Sequence, residues 1–218
     1  MRIVFLSISD RPVLSDTTYT QLRAYCEMHG YDVEIRREAL DKSRHISWSK
    51  IPLLLHHMER GLYEYYIWMD DDIYITDTQV KLESFITDYG FDQSDADLLL
   101  SADVVDECPF NAGVLIVKNT PSATRVLQET WKLCDRLQNH FSGLWEQDAF
   151  TYFYQHIDSS RFLIVPHRKL QSFWKDHGLV PELKWRPGDF AAHITGMPLE
   201  KRLEMLKEIQ VLQSFDKS

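Results

Sequence analysis

Apolar runs and amphipathic stretches alternate along the chain. Ile3-Val-Phe-Leu-Ser-Ile8 is nearly all apolar, the pattern of a strand buried on both faces. A helix is predicted over 16–30, with Asp16 as its N-cap and Gly30 just past its last turn. Residues 32–37 alternate as a second strand. A further helix is predicted over 47–61, with Ser47 capping it, Pro52 in its first turn and Gly61 closing it. The aromatic run Tyr65-Tyr66-Ile67-Trp68-Met69 reads as a strand that ends in three aspartates. Beyond it the pattern predicts a helix over 80–89, strands over 97–102 and 113–117, and a helix from Pro121 to about 138. Residues 145–156 read as helical, 162–165 as a strand, 190–193 as a short buried strand and 199–215 as a final amphipathic helix. The stretch 168–188, rich in Trp, Pro and charge, is the least regular and reads equally as a loop over the site or as ordinary surface. Strands alternating with helices imply an α/β fold with a mostly parallel, Rossmann-like sheet covered on both faces. Ligands of such folds bind beyond the carboxyl ends of the strands. With 218 residues, no internal repeat and no linker-like stretch, the chain reads as one domain over 1–218. Its polar tail after the last helix leaves room for a longer protein that continues.

Charge narrows the partners. Thirty-three acidic against 24 basic residues give a net charge of −9, with no basic run, which argues against nucleic acid. An acidic protein that binds an anionic nucleotide needs a cation at the site. Cys26, Cys108 and Cys134 match neither a zinc spacing nor a disulfide framework, and read as reduced structural thiols in a cytoplasmic setting. The first residues lack a signal peptide's cleavage site, and no stretch reaches the ~18 apolar residues of a membrane span.

The segment Trp68-Met69-Asp70-Asp71-Asp72-Ile73-Tyr74-Ile75 carries the candidate chemistry. In an extended chain Asp70 and Asp72 share a face and Asp71 points away. Two adjacent carboxylates repel unless a cation stands between them. Mg²⁺ or Mn²⁺ meets that need and keeps coordination positions for phosphate oxygens. Acidic residues at a strand end also serve as turn formers, but here another apolar pair follows instead of a clear helix.

An aromatic strand ending in Asp-x-Asp resembles the nucleotide-sugar motif of GT-A glycosyltransferases. Three further segments join it in order: Trp48-Ser49-Lys50 before an apolar helix, Asn111-Ala112-Gly113 opening a strand that closes at Lys118-Asn119, and Gly188-Asp189-Phe190-Ala191-Ala192-His193-Ile194-Thr195-Gly196. Together they resemble the family of fungal α-galactosyl- and α-mannosyltransferases and plant xyloglucan xylosyltransferases. They are also similar to the retaining bacterial lipopolysaccharide galactosyltransferases. The small size is similar to that of compact glycosyltransferase domains of large chlorella viruses, in which case the cytoplasm would be the host's. The resemblance runs from about Ile3 to Gly196.

It implies a metal-dependent, retaining hexosyltransferase that uses Mn²⁺ or Mg²⁺ and a UDP-sugar, acts on a glycan or glycoprotein and works as a monomer. His193 is implied as the third metal ligand beside Asp70 and Asp72, with Gly196 letting the backbone approach phosphate. Lys50 matches the Trp-x-Lys lysine and is implied in donor sugar or phosphate contact, with Arg44 a weaker candidate. Ser7, Ser9 and Asp10 lie where such enzymes hold the uridine, and Asp71 is counted with these donor contacts. Lys201 falls further from the glycine than its bacterial counterpart and serves either phosphate or the solvent face of the last helix. In Trp145-Glu146-Gln147-Asp148, Gln147 would lie beneath the anomeric carbon and Asp148 would order sugar hydroxyls. Asp103 and Asn111 are further hydroxyl contacts, whereas His56, His57 and His167 are expected to be structural.

Three alternatives fit less well. A sugar nucleotidyltransferase would share the acidic pair but wants a Gly- and Lys-rich loop after the first strand, and Ser7-Ile-Ser-Asp-Arg-Pro12 lacks one. A non-catalytic nucleotide-sugar-binding domain would bind the donor without turnover. A two-metal hydrolase wants more clustered His and Asp.

Overall fold

The computed structural model describes residues 1–104, 108–137, 145–174 and 183–215. Its main sheet has six strands in the order β2-β1-β3-β6-β5-β7. These are β1 (Ile3–Ile8), β2 (Asp32–Arg36), β3 (Tyr65–Met69), β5 (Leu98–Ser101), β6 (Asn111–Lys118) and β7 (Phe162–Val165). Strand β6 runs antiparallel to both β3 and β5, while β2, β1 and β3 are mutually parallel and β7 is parallel to β5. The mostly parallel α/β fold expected from the sequence is therefore present.

Pleating sorts the apolar side chains into two cores. Val4, Leu6, Tyr66, Trp68, Leu115 and Val117 face one way, toward α2 (Lys50–Arg60), α4 (Pro121–Leu137) and α5 (Glu146–His156). Ile3, Phe5, Ile67, Met69, Val114 and Ile116 face the other, toward α1 (Pro12–His29) and α3 (Leu82–Asp88). Each fully buried Leu or Phe contributes roughly 1.5–3 kcal/mol of transfer free energy, so both faces are needed to offset the ordering of the chain.

A second sheet of three short strands stands beside the carboxyl end of β3, in the order β4-β9-β8. It comprises β4 (Ile73–Ile75), β8 (Ser172–Phe173) and β9 (Ala191–His193). The expected strand over 190–193 is its middle member. A small cluster of Leu14, Tyr74, Trp174, Ala192, Ile194, Leu206 and Ile209 joins this sheet to α1 and α6 (Leu199–Phe215).

Several boundaries differ from expectation for local reasons. Helix α1 begins at Pro12, whose ring suits a first helical position, while Asp16 lies inside the helix and pairs with Arg37. A short 3₁₀ turn, Ile46–Ser49, precedes α2. The Ser47 N–H donates to His45 across that turn, so Ser47 does not cap the helix. Helix α6 is only weakly amphipathic, since Leu206 and Ile209 are buried while Leu199, Val211 and Leu212 stay exposed. The expected end of α4 near 138, and residues 175–182 of the irregular stretch, lie outside the described residues.

Candidate active site

The three aspartates do not continue β3 as extended chain. The Ile73 N–H donates back to the Asp70 carbonyl at 3.2 Å, so Asp70 to Ile73 form a turn before β4 starts. Asp70 and Asp72 converge through that turn and not through strand alternation. Asp71, expected on the opposite face of the chain from Asp70 and Asp72 yet counted among the donor contacts, lines the same cleft, and Ser9 and Arg11 bind its carboxylate. The Thr18 hydroxyl donates to the Asp71 carbonyl at 2.7 Å, which ties the turn to α1.

Sheet register delivers the histidine. In the β4–β9 pair Ile73 stands opposite His193, and the Ile194 N–H donates to the Asp72 carbonyl at 3.0 Å. The segment before β9 is pinned by Asp189, which accepts from Arg168 Nε at 2.9 Å and Nη2 at 2.6 Å, from Ser172 Oγ at 2.8 Å and from the Arg186 N–H at 2.9 Å. One ligand atom each from Asp70, Asp72 and His193 lies within 4.8 Å of the others. Neighbouring ligands of a hard divalent ion with ~2.1 Å bonds lie about 3–4 Å apart, so small side-chain rotations suffice.

His193 Nε2 stands 3.2 Å from Asp72 Oδ1 without hydrogen-bond alignment, and both atoms are buried with no hydrogen-bond partner. Buried polar atoms are rarely left so. Two orphaned acceptors aimed at one point, with a third carboxylate beside them, are a donor set that fits Mn²⁺ or Mg²⁺. Burial works to raise the Asp72 carboxyl, but His193, Arg202 and Arg11 hold it well below the usual carboxylate range. Asp71 moves the other way: burial raises its carboxyl, with Arg11 opposing.

Lys50 is completely buried. Its Nζ donates to the Ala112 carbonyl at 2.6 Å and to Glu146, and lies 3.5 Å from Asp70 Oδ1. Burial works against its charge, yet the carboxylates of Asp70 and Glu146 hold the ammonium above the ordinary lysine range. The Trp68 indole N–H also donates to Asp70 Oδ1. One hydrogen bond and one ion pair thus hold the same oxygen of Asp70. Lys50 sits beneath the cleft floor as a positioning residue and does not line the cleft.

A second network adjoins the first. Asp103 Oδ2 accepts from Asn111 Nδ2 at 3.1 Å and Gln147 Nε2 at 3.0 Å, while Gln147 Oε1 accepts from the Ala112 N–H at 2.9 Å. Gln171 Nε2 donates to Asn111 Oδ1 at 2.9 Å. Asp148 is half-buried in the first turn of α5.

A cleft of ≈ 560 Å³ opens above the aspartates, lined by Ile8 to Arg11, Ala39, Lys42, Arg44 to Ser47, Trp68, Asp70 to Asp72 and Arg202. Ser9, Asp10, Asp70, Asp71 and Asp72 meet there. Ser7 does not, because its hydroxyl is buried against Tyr19 and the Met69 carbonyl. Gly196 is exposed, with φ +74°. Lys201 points to solvent and pairs with Glu204 at 2.9 Å, and its neighbour Arg202 turns inward to Asp72. Arg11, Arg202 and Gln171 are the site residues to which the sequence reading assigns no role, and Gly113 enters it only as part of the Asn111-Ala112-Gly113 motif. A stronger signal for Arg202 was its place one residue from Lys201. His57 is structural as expected, paired with Glu34 at 2.9 Å.

The sequence profile of the galactosyl transferase GMA12/MNN10 family matches residues 7–92 and 87–203. A comparison with curated proteins returns no match. Among solved structures the chain is similar to a glycosyltransferase involved in glycosylation of the major capsid of PBCV-1, with TM-score 0.74 and 20% identity over 97% of this chain and 100% of that one. It also resembles GlyE of Streptococcus pneumoniae TIGR4, with TM-score 0.64 and 13% identity over 99% of this chain and 63% of that one. A galactosyltransferase, LgtC, solved with donor and acceptor sugar analogs, aligns with TM-score 0.57 and 12% identity over 95% of this chain and 96% of that one. These likenesses establish the GT-A fold. With the family profile spanning most of its length and the acidic turn in place, the chain belongs to the galactosyl transferase GMA12/MNN10 family of glycosyltransferases.

Proposed function

We propose that the protein moves a hexose-type sugar from a UDP-sugar to a glycan hydroxyl, with a divalent ion and with retention at the anomeric carbon. The observation that carries this reading is the convergence of Asp70, Asp72 and His193 at the floor of the cleft, with buried atoms of Asp72 and His193 left without hydrogen-bond partners. A divalent ion there would stabilise the charge that develops on the departing diphosphate.

The chain's own groups complete the site. Arg11 and Arg202 line the cleft and neutralise Asp71 and Asp72, so both guanidinium groups are placed to face an anionic donor as well. Ser9 and Asp10, at the end of β1, stand where a ribose and base would rest. Asn111, Asp103 and Gln147 form a buried hydrogen-bonded network beside the acidic turn, outside the cleft lining, and are the candidates for holding sugar hydroxyls in one orientation. Gln147 is a poor nucleophile, and its amide is engaged on both sides. That favours attack by the acceptor from the leaving-group face over a covalent intermediate. Asp148, beside it, is the candidate for ordering the acceptor. No helix of the described residues is long and apolar enough to cross a membrane. The proposal takes the enzyme to work as a monomer in the cytoplasm.

Turnover tests this reading. The protein would be incubated with UDP-glucose, UDP-galactose, GDP-mannose or dTDP-glucose, simple methyl pyranosides and Mn²⁺. The expected result is metal-dependent UDP release and a product whose anomeric configuration, read by NMR, matches the donor's. Release from GDP-mannose or dTDP-glucose alone would overturn the uridine assignment, and an inverted product would overturn retention.

A further inference from the structure

An aromatic pair stands at the edge of the cleft, outside the groups that would hold the donor. The His45 ring stacks on the Trp145 indole, with centroids 4.1 Å apart and planes 6° from parallel. His45 lines the cleft; Trp145, stacked on it, is outside the lining and has 47% of its surface open to solvent. The histidine is itself fixed, since its Nδ1 lies 2.9 Å from Ser47 Oγ and accepts from the Ser47 N–H.

The backbone holds the indole in place at a cost. Trp145 has φ +58° and ψ −123°, a conformation that residues with a Cβ rarely adopt. The next residue, Glu146, is bonded to Lys50, which also touches Asp70. The contacts that orient a metal-ligating carboxylate therefore also set the position of the tryptophan. A half-exposed indole adds little to the core, and strain at a non-glycine residue beside an active site points to a role in binding.

We infer that the Trp145 indole, braced by His45, is a stacking platform for a pyranose ring of the acceptor. A pyranose presents an apolar face of C–H groups, and an indole presents a flat, electron-rich face that such groups pack against. Stacking of this kind fixes the ring's plane while leaving its hydroxyls free to be read elsewhere. A nucleobase is the less suitable occupant, because the polar groups at the end of β1 line the cleft itself and Trp145 does not. The inference rests on the sugar-transfer reading, but its test can be read separately.

The test is saturation-transfer NMR with methyl β-D-galactopyranoside, methyl α-D-mannopyranoside and methyl β-D-xylopyranoside, in the presence of Mg²⁺ and UDP. UDP affinity is measured in parallel by calorimetry. In the wild type, ring C–H protons of at least one pyranoside should receive saturation. Trp145→Ala should weaken that binding by about tenfold or more while leaving UDP affinity unchanged, and Trp145→Phe should retain most of it. Should Trp145→Ala fail to fold, Trp145→Gly, which relieves the positive φ, replaces it under the same criteria. Saturation that persists without the indole would overturn the platform, as would no saturation in the wild type. If UDP does not bind but the pyranoside signal depends on Trp145, the platform stands and the donor assignment falls.

Discussion

Replacing the glycine at 113 with alanine is expected to weaken Mn²⁺ binding by about 10–100-fold, the usual cost of disturbing the groups that orient a metal ligand. A Cβ at that position would lie 2.5 Å from His193 Cε1, 2.8 Å from Gln171 Oε1 and 3.0 Å from Asn111 Oδ1. None of these atoms can yield easily. The His193 ring is buried and stacked on Phe173 at 5.7 Å, and Asn111 is held by Asp103 and Gln171. The added methyl must displace the imidazole or the amide network. The carbonyl of the same residue accepts the Asp70 N–H at 2.8 Å, so any backbone shift also moves the acidic turn. Overpacking costs about 1–3 kcal/mol, which a domain of this size can absorb. The variant should therefore stay folded by circular dichroism and lose metal affinity by calorimetry. Wild-type affinity in the folded variant would mean that His193 is not a ligand.

The second large effect is on stability. Lys50→Met is expected to cost about 3–5 kcal/mol, measured by urea denaturation, because it strips the counter-charge from the buried Glu146 carboxylate. Glu146 is 5% exposed and faces Lys50, which also stands beside Asp70. Methionine fills the volume but leaves Glu146 without its partner. The double variant Lys50→Met, Glu146→Leu removes both charges and should recover most of the loss, since an apolar pair of similar volume is often as stable as the ion pair. A single variant within about 1 kcal/mol of wild type would contradict the pairing. So would a double variant no better than the single one. In either case catalysis should suffer, because Asp70 loses an ion pair and α5 loses the anchor of its first turn.

How much of this was legible in the sequence depends on the range of the interactions. The strands β1 and β3 declared themselves through uninterrupted apolar or aromatic runs, and the Gly30 and Gly61 helix ends through the left-handed conformations they adopt. The aspartates and His193 were visible as motifs. The small sheet was mostly not, because strands of two or three residues are too short to show a period. Its pairing is what turns His193 toward Asp72. Arg11 and Arg202 escaped notice because the carboxylate partner of each lies 60 or 130 residues away in sequence. From the sequence Lys50 reads as a ligand-facing cation, and only its complete burial shows that it lies outside the cleft lining. The turn at Asp70 to Ile73 was missed for a different reason: alternation along an extended chain gives the same pairing of Asp70 with Asp72, and only the place of Asp71 separates the two geometries.

The most direct test is calorimetric titration of UDP and UDP-glucose into the wild type and into Asp72→Asn, with Mn²⁺ or with EDTA. Binding that requires the metal in the wild type and disappears in Asp72→Asn is the expected result. Equal binding with EDTA, or an Asp72→Asn variant that binds as the wild type does, would contradict a metal-held nucleotide-sugar site at these aspartates.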